Sequence, residues 1–294
     1  MVDWTELTHD CLLNVLARLP LRDRWFGAML VCKTWLRAFK DPSLNRSLDL
    51  EPWFEWNPCS PRWLDPEFQR TIDAMVRNVV ERSEGGVVKI RVPHCSGRSA
   101  LLVAERCPNL QVLSIKSSRV SEKIFVSMVV HLTNLKELDI SSCYQIDAYL
   151  FILIGMHCPN LKTLKRSFIS FKDSNEHAQF VGKNFHDVGD MEATAIGMTL
   201  KGLEHLELRY SKMTVRGLFR IAAGCMELKY LDLLGCFGLM YGDFEIAFEE
   251  RIKLRKVEKR NWGIPRIVHP CTHRLLHWEM YAYGLRRLTD VLHF

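Results

Sequence analysis

Residue types that commonly bind metal ions cluster near residue 270 of the sequence. His273 and His277 are four residues apart, so a helix would place both imidazoles on one face, and Cys271 is close enough in sequence to add a thiolate. Such a set has the chemistry of a zinc site. The chain has no C-x-x-C pair to complete it, so the favoured interpretation is surface histidines in a terminal cap, with no metal and no cofactor.

The rest of the sequence lacks the common motifs of catalysis. It contains no G-x-G-x-x-G for a dinucleotide, no G-x-S-x-G nucleophile elbow and no P-loop. An enzyme needs a nucleophile, a base and an orienting group, or a metal with the right ligand spacing. We therefore expect a protein that is not an enzyme.

Composition indicates a folded globular protein of one large or two unequal domains. Of its 294 residues, 48% are hydrophobic and 25% are charged, and the net charge is +6. The basic run at 251–260 also contains Ile252, Leu254 and Val257, which is typical of a solvated amphipathic face. We therefore expect no nucleic-acid partner.

The N-terminal residues do not resemble a signal peptide, because Asp3, Glu6 and Asp10 interrupt any apolar run. No stretch reaches the roughly 18 apolar residues needed to span a bilayer. The sequence thus predicts no membrane partner and a location in the nucleus or cytoplasm. Its ten cysteines are then expected to be free thiols.

The first forty residues have the pattern of short helices. Leu12, Leu16 and Leu19 recur at helical spacing, Thr8 can cap the start of this helix and Pro20 ends it. A second helix is predicted from about residue 23. A third would carry Val31, Trp35 and Phe39 on one face and stop at Asp41-Pro42. Three such helices are too small for a large core, so a partner surface explains their apolar excess better.

Three strings in this region, LTHDCLLNVLARLP (7–20), VCKTW (31–35) and DPSL (41–44), resemble an F-box. The F-box is the helical module that docks a substrate receptor onto the adaptor of an SCF-type cullin–RING ubiquitin ligase. This sequence departs from the family at Thr8, where Pro is usual, and at Asn45, where Trp often stands.

The resemblance implies adaptor contacts, and the small core behind them, at nine positions. These are Leu7, Thr8, Leu12, Leu16, Leu19, Pro20, Val31, Cys32 and Trp35. The sequence alone does not divide contact from core. For Leu16 and Trp35, internal packing and direct contact both stay open.

A repeat with the frame Leu-x-x-Leu-x-Leu/Ile begins near residue 107. Its leading leucines are separated by 25, 26, 42 and 25 residues, a period typical of leucine-rich repeats. They are Leu110, Leu135, Leu161, Leu203 and Leu228. The third copy ends on Arg166 instead of an apolar residue. With earlier copies at 43–50 and 86–92, the sequence predicts about seven strands.

Small polar residues recur three positions after the last apolar residue of a copy. Cys143 and Cys236 occupy this position, and Ser118 and Ser211 occupy it in other copies. Repeats place such a residue against neighbouring backbone. Cys107, Cys158 and Cys225 end the helix-like segments and recur with the period, so we expect them to be buried structural thiols. These repeats resemble the cysteine-containing type found in short plant F-box receptors.

The predicted fold class is α/β, with a three-helix F-box followed by a short leucine-rich-repeat solenoid that has a concave parallel sheet and helices on its convex side. The predicted domains are the F-box at 1–45, a connector with a first degenerate repeat at 46–85, the repeats at 86–240 and a C-terminal cap at 241–294. A loop inserted at about 167–190 accounts for the 42-residue step.

Strand positions that point away from the predicted core are candidates for binding a target protein. They are Lys116, Glu137, Asp139, Lys165, His205, Glu207, Arg209, Tyr230 and Asp232. Ordinary solvated strand residues are the alternative for most of them. Phe171 and Phe180 of the inserted loop are further candidates, although a loop that folds back over the sheet is the favoured interpretation.

The sequence therefore predicts the substrate-recognition subunit of an SCF-type ubiquitin ligase. Its partners would be a Skp-type adaptor, the cullin and RING subunits bound through that adaptor, and a target protein on the repeat surface. The alternative is a repeat protein that serves as an interaction scaffold outside any ligase.

Overall fold

The computed structural model describes most of the chain, namely residues 7–54, 65–168, 187–236 and 238–239. Phe171 and Phe180, the histidines and cysteine at 269–277 and the predicted cap at 241–294 lie outside these residues. None of the helices within the described residues is long and apolar enough to cross a membrane.

The chain divides into two compact units. The first comprises Met1–Ile146 and Leu153–Leu161, and the second comprises Asp147–Ile152 and Lys162–Phe294. The domain boundaries expected after residues 45, 85 and 240 stay predictions.

The first unit begins with the predicted short helices. Helix α1, His9–Arg18, starts where the hydroxyl of Thr8 accepts a hydrogen bond from the Cys11 N–H at 3.4 Å, which confirms the predicted cap. Helix α2, Leu21–Phe26, ends at Gly27 and is followed by a 3₁₀ turn, Ala28–Leu30. Helix α3 is Lys33–Phe39.

The predicted boundary between the second and third helices was wrong. Val31 was expected on one face of the third helix with Trp35 and Phe39, but it precedes α3 and is 59% exposed, whereas Trp35 and Phe39 are buried. Gly27 permits this early end of α2, because a Cβ there would lie 2.8 Å from the Asp23 carbonyl oxygen. The chain turns at Gly27, and Val31 faces away from the core.

The small core of this module is made by side chains from all three helices and the turn. Its buried members are Leu12, Leu16, Ala28, Trp35, Ala38 and Phe39. Trp25 packs edge-on against Phe39, with ring centroids 5.4 Å apart. The residues of this module thus form a hydrophobic core of their own.

Parallel strands alternate with helices after this module, as the repeats predict. The first unit contains strands β1 (Ser47–Asp49), β2 (Lys89–Arg91), β3 (Val112–Ser114) and β4 (Glu137–Asp139), paired in that order. Its helices after α3 are α4 (Glu51–Phe54), α5 (Pro66–Arg82), α6 (Gly97–Arg106) and α7 (Glu122–Val129). Helix α8 follows at Ala148–His157.

The second unit contains strands β5 (Thr163–Lys165), β6 (His205–Glu207) and β7 (Tyr230–Asp232), again parallel and in sequence order. Between them lie helices α9 (Asp187–Thr199) and α10 (Val215–Gly224). The described residues therefore hold seven strands, and the predicted α/β fold class is confirmed.

Thiols hold the turn of one repeat against the backbone of the preceding repeat. The Cys143 thiol donates to the Ile115 carbonyl oxygen at 3.2 Å, and the Cys236 thiol donates to the Leu208 carbonyl oxygen at 3.0 Å. Burial raises the pKa of Cys236 to about 12, so this thiol keeps its proton. The backbone contact predicted for Cys143 and Cys236 is confirmed, and Cys107, Cys158 and Cys225 are buried free thiols as predicted.

A left-handed residue stands at the same place after five of the strands, three positions beyond the last strand residue. At Ser117, Ser142 and Tyr210 φ is 57°, 55° and 56°, and His94 and Gly235 are equivalent. A non-glycine residue in this region costs about 1–2 kcal/mol. The repeats tolerate this strain because the left-handed residue turns the chain out of the strand and toward the next helix.

Arg166 occupies the position where the third copy loses its apolar residue, and it is fully buried. Its guanidinium donates to Glu192 Oε1 on α9 at 3.1 Å and lies 4.7 Å from the centre of the Phe168 ring. Both partners of this ion pair are removed from water. The break in the leucine pattern therefore marks a buried polar contact inside the second unit.

Replacing Arg166 by Leu is expected to lower the free energy of unfolding by about 3–5 kcal/mol, because the Glu192 charge loses its partner in the core. The double variant Arg166→Leu/Glu192→Leu is expected to recover most of this loss. Urea denaturation of the full chain measures both. Equal losses in the single and double variants would contradict a coupled pair.

Candidate functional site

Three large apolar side chains of the helical module face solvent. Phe26 is 60% exposed, Leu30 is 69% exposed and Val31 is also exposed. We name these three residues the apolar patch. Several large exposed apolar side chains within six residues commonly mark an interaction site.

The 3₁₀ turn after α2 positions the apolar patch. The Leu30 N–H donates to the Gly27 carbonyl oxygen at 2.9 Å, and the Val31 N–H donates to the Ala28 carbonyl oxygen at 3.3 Å. Ala28 is buried in the module core and anchors the turn. Leu30 and Val31 are therefore held outward by a turn whose other side is packed.

The nine positions assigned by sequence separate into two groups. Leu12, Leu16 and Trp35 are buried in the module's own core. The others are exposed or half-buried, namely Leu7, Thr8, Leu19, Pro20, Val31 and Cys32. Phe26 and Leu30 were missed, although their spacing of four residues and large apolar side chains were visible in the sequence.

The two departures from the F-box pattern have structural roles in this chain. Thr8 caps α1. Asn45 is buried and its side-chain amide donates to the Asp41 carbonyl oxygen at 2.8 Å. The Asp41 carboxylate in turn contacts the His9 imidazole at 2.9 Å. Both departures thus stabilise the start and the exit of the module.

The second unit brings six of the predicted target-binding residues together on strands β5 to β7 and the turn after β6. They are Lys165, His205, Glu207, Arg209, Tyr230 and Asp232. The His205 and Tyr230 rings stack with centroids 4.1 Å apart. Glu207 Oε1 lies 3.1 Å from Lys165 Nζ and 2.8 Å from His205 Nε2. Neighbouring strands therefore supply charges that pair with one another.

This pairing favours the ionised form of Glu207. Burial opposes ionisation, but the hydrogen bond with His205 and the charge of Lys165 outweigh it and lower the pKa of Glu207 to about 2. The carboxylate is therefore a fixed negative charge at physiological pH.

Two predicted outward residues are buried instead. Asp139 and Asp232 follow the strand alternation, but the turns beyond their strands cover them. Asp139 Oδ1 accepts from the Ser141 N–H at 2.9 Å, and Asp232 Oδ1 accepts from the Leu234 N–H at 3.0 Å. Asp232 also accepts from Arg209 Nε at 2.7 Å. These carboxylates stabilise turns, so their prediction as open surface residues was wrong.

The first unit carries a similar row of ion pairs across its strands. Lys89 lies 2.7 Å from Asp49, and Arg91 donates to Glu137 at 2.8 Å. Lys116, in the turn after β3, is half-buried. Burial and the Lys116 charge lower the pKa of the neighbouring His94 to about 4, so this imidazole is neutral at physiological pH.

Comparison with known proteins identifies both parts of the chain. Residues 4–47 match the F-box domain family. F-box protein SKIP1 of Arabidopsis thaliana is 41% identical over 285 residues, which cover 95% of this chain and 94% of that protein. Putative F-box/LRR-repeat protein 19 of the same species is 40% identical, over 90% of this chain and 89% of that protein.

The chain belongs to the F-box/LRR-repeat family. Putative F-box/LRR-repeat protein 22, also from Arabidopsis thaliana, is 33% identical over 85% of this chain and 75% of that protein. The F-box recognised from the N-terminal strings and the leucine-rich repeats recognised from their period are both confirmed.

F-box proteins serve in general as substrate receptors of SCF ubiquitin ligases and not as catalysts. In this F-box/LRR protein, the apolar patch belongs to the F-box and the charged strand residues belong to the repeats. The two surfaces are chemically different, one apolar and one charged.

The charge cluster around Glu207 predicts acid sensitivity. Because the folded-state pKa lies below the ordinary 4.5, the stabilisation by Glu207 is complete above about pH 4.5 and is lost as the pH falls toward about 2. Glu207→Gln is therefore expected to destabilise the protein near pH 6 and to differ less from the wild type near pH 3. Urea denaturation at both pH values measures this difference.

Glu227→Gln is the matched control, because Glu227 is exposed and makes no ion pair among the described residues. It is expected to follow the wild type at both pH values. A difference between Glu207→Gln and the wild type that stays constant with pH would contradict the lowered pKa.

Proposed function

We propose that this protein is the target-binding subunit of an SCF-type ubiquitin ligase, in which the F-box docks a Skp-type adaptor and the repeats bind a target protein. The observation that carries the proposal is the apolar patch. Its three side chains stay 59–69% exposed although the module has a complete core. A docking module needs apolar surface that its own fold does not bury.

We assign direct adaptor contact to the apolar patch together with the exposed or half-buried members of the sequence set. Phe26, Leu30 and Val31 form its centre. Leu7, Thr8, Leu19, Pro20 and Cys32 are assigned to the same contact because their side chains are exposed or half-buried. Leu12, Leu16 and Trp35 support it from the core.

The mechanism is tethering and involves no bond chemistry in this chain. The adaptor brings the cullin and RING subunits, and the repeats hold the target near the charged conjugating enzyme. Joining both contacts in one molecule raises the effective concentration of a target lysine at the reaction site. The receptor needs neither a cofactor nor a metal for this role.

The target would bind the charged strand residues of the repeats. Candidates are Lys116 and Glu137 in the first unit and Lys165, His205, Glu207, Arg209 and Tyr230 in the second unit. Their charges are largely paired within the protein, so a target must replace or extend existing pairs. Such a surface selects by charge complementarity more than by buried apolar area.

We place this activity in the nucleus or cytoplasm. All eight cysteines among the described residues are free thiols, and six of them are buried. Free thiols are typical of a reducing compartment. The location agrees with that of the ubiquitin pathway.

Leu30→Glu and Val31→Glu are each expected to weaken adaptor binding by about 30-fold or more, because each places a charge in the centre of an apolar interface. Both side chains face solvent, so the thermal midpoint should stay near that of the wild type. Isothermal titration of the full chain with purified adaptor measures affinity, and calorimetry measures stability.

Val130→Glu is the matched control, since Val130 is an exposed valine at the end of α7. It is expected to bind the adaptor normally. Leu16→Glu is expected to unfold the F-box, because Leu16 is fully buried. Normal binding by Leu30→Glu and Val31→Glu, or an intact wild type that fails to bind the adaptor, would exclude the proposed docking and favour a scaffold outside the ligase.

His205→Ala/Tyr230→Ala is expected to lose target capture and keep adaptor binding, because it removes the stacked pair from the strand surface. Quantitative affinity purification under proteasome inhibition compares this variant with the wild type and with Lys229→Ala, an exposed position beside the strand. Proteins depleted only in the double variant are candidate targets. An unchanged set of captured proteins would contradict target binding at this surface.

A further inference from the structure

Helices α9 and α10 of the second unit are in backbone contact. A Cβ on Gly197 would collide with the Arg220 carbonyl group, and a Cβ on Gly224 would collide with the carbonyl of Gly197. Glycines at these positions let the two helices approach more closely than side chains allow. The two closely packed helices lie beside the start of α8.

An open groove of about 570 Å³ lies along these helices. We name it the helix groove. Tyr149 and Ile152 of α8 line one side, and the exposed Met191 and Met198 of α9 line the middle. Met198 is 65% exposed. Several large apolar side chains that line one exposed groove commonly mark an interaction site.

Small residues form the floor between the two methionines. Thr194 and Ala195 lie at this level of α9 and contribute to the lining. Their short side chains leave space for bulky residues of a second helix. Methionine adapts to varied apolar shapes and recurs at surfaces that bind amphipathic helices.

The edge of the groove is positively charged. Arg216 and Arg220 of α10 are exposed, lie one helical turn apart and form no ion pair within the described residues. The carboxylate in the lining, Asp190, is already engaged: it accepts from the Thr214 N–H at 2.7 Å and from the Gly217 N–H at 3.1 Å. The groove therefore offers two cations and no available carboxylate.

We propose that the helix groove binds an amphipathic helix of another protein, with apolar residues on one face and glutamate or aspartate beside them. The apolar face would pack on Tyr149, Ile152, Met191 and Met198, and the acidic residues would pair with Arg216 and Arg220. This site lies on the helices and is separate from the strand residues proposed to bind the target, and it does not depend on adaptor docking.

Charge argues against the chain's own basic segment as the occupant. Residues 251–260 contain six Lys or Arg residues and one Glu. Next to Arg216 and Arg220 this segment would meet charges of the same sign. An acidic helix meets charges of the opposite sign, so the groove fits a partner better than this segment.

A helix-peptide display library tests the proposal with the full chain. The peptides have about 18 residues, apolar positions at i, i+3, i+4 and i+7, and Glu, Gln or Lys varied beside them. We expect selection to enrich Glu beside the apolar face. Fluorescence anisotropy with an enriched peptide should then show at least a tenfold weaker affinity for Met198→Glu.

The matched control is Val126→Glu, an exposed apolar position on α7 of the first unit, which should bind the peptide normally. Arg216→Glu/Arg220→Glu should lose the Glu peptide and gain its Lys counterpart. The thermal midpoint of each variant, measured by calorimetry, shows whether the second unit is folded. Adaptor binding is measured separately on the F-box, so a failure of adaptor docking is distinguished from a failure of groove binding.

Three outcomes would overturn the proposal. The first is that no peptide is enriched, or that Lys is enriched in place of Glu. The second is that the enriched peptide binds Met198→Glu as well as the wild type. The third is a dimer in light scattering that Met198→Glu converts to monomer, which would make a second copy of this chain the occupant.

Discussion

The repeats of this protein depend on hydrogen bonds between the turns and loops of one repeat and the backbone of the next. The strands are only three residues long, so a strand ladder alone cannot satisfy the buried polar groups beyond its end. The thiols of Cys143 and Cys236 donate to carbonyl oxygens 28 residues earlier in the chain, and Asn109 and Asn134 repeat the arrangement at the other end of the strands. These hydrogen bonds fix the register of the strands. In this register His205 is paired with Tyr230 and Lys165 is paired with Glu207. The positions of the charged residues on this surface therefore depend on the turns that follow the strands.

The sequence predicted the parts of the fold that depend on side-chain type at a fixed spacing. Leucines every 25 residues and the cysteines that follow them identified the repeats, since only those types fill the same small apolar position in each copy. The left-handed turn residues were not predictable, because His94, Ser117, Tyr210 and Gly235 share a conformation and no chemistry. Burial of Asp139 and Asp232 was also missed. Strand alternation describes a flat ladder, whereas the turn beyond the strand covers these carboxylates and supplies their donors.

The apolar patch shows why the candidate site was only partly predicted. Val31, Trp35 and Phe39 have helical spacing, but Gly27 ends α2 and the following turn places Val31 outside α3. The same change turns Leu30 outward. The exposure of Leu30 and Val31 therefore depends on where α2 ends. The spacing of apolar residues in the sequence does not determine that end. The helix groove was not predictable either, because it depends on glycine contacts between α9 and α10, which are distant from α8 in sequence.

The ion pair of Arg166 and Glu192 gives one repeat a fully buried charge pair that the other repeats within the described residues lack. Repeat arrays commonly lengthen when a unit is duplicated, which succeeds when every unit presents the same apolar face to its neighbours. A copy of the repeat that carries Arg166, inserted elsewhere in the array, would bury a guanidinium opposite leucine. A repeat with leucine at this position, inserted here, would remove the guanidinium that pairs with Glu192. Recombination between repeats is therefore penalised at this point of the chain.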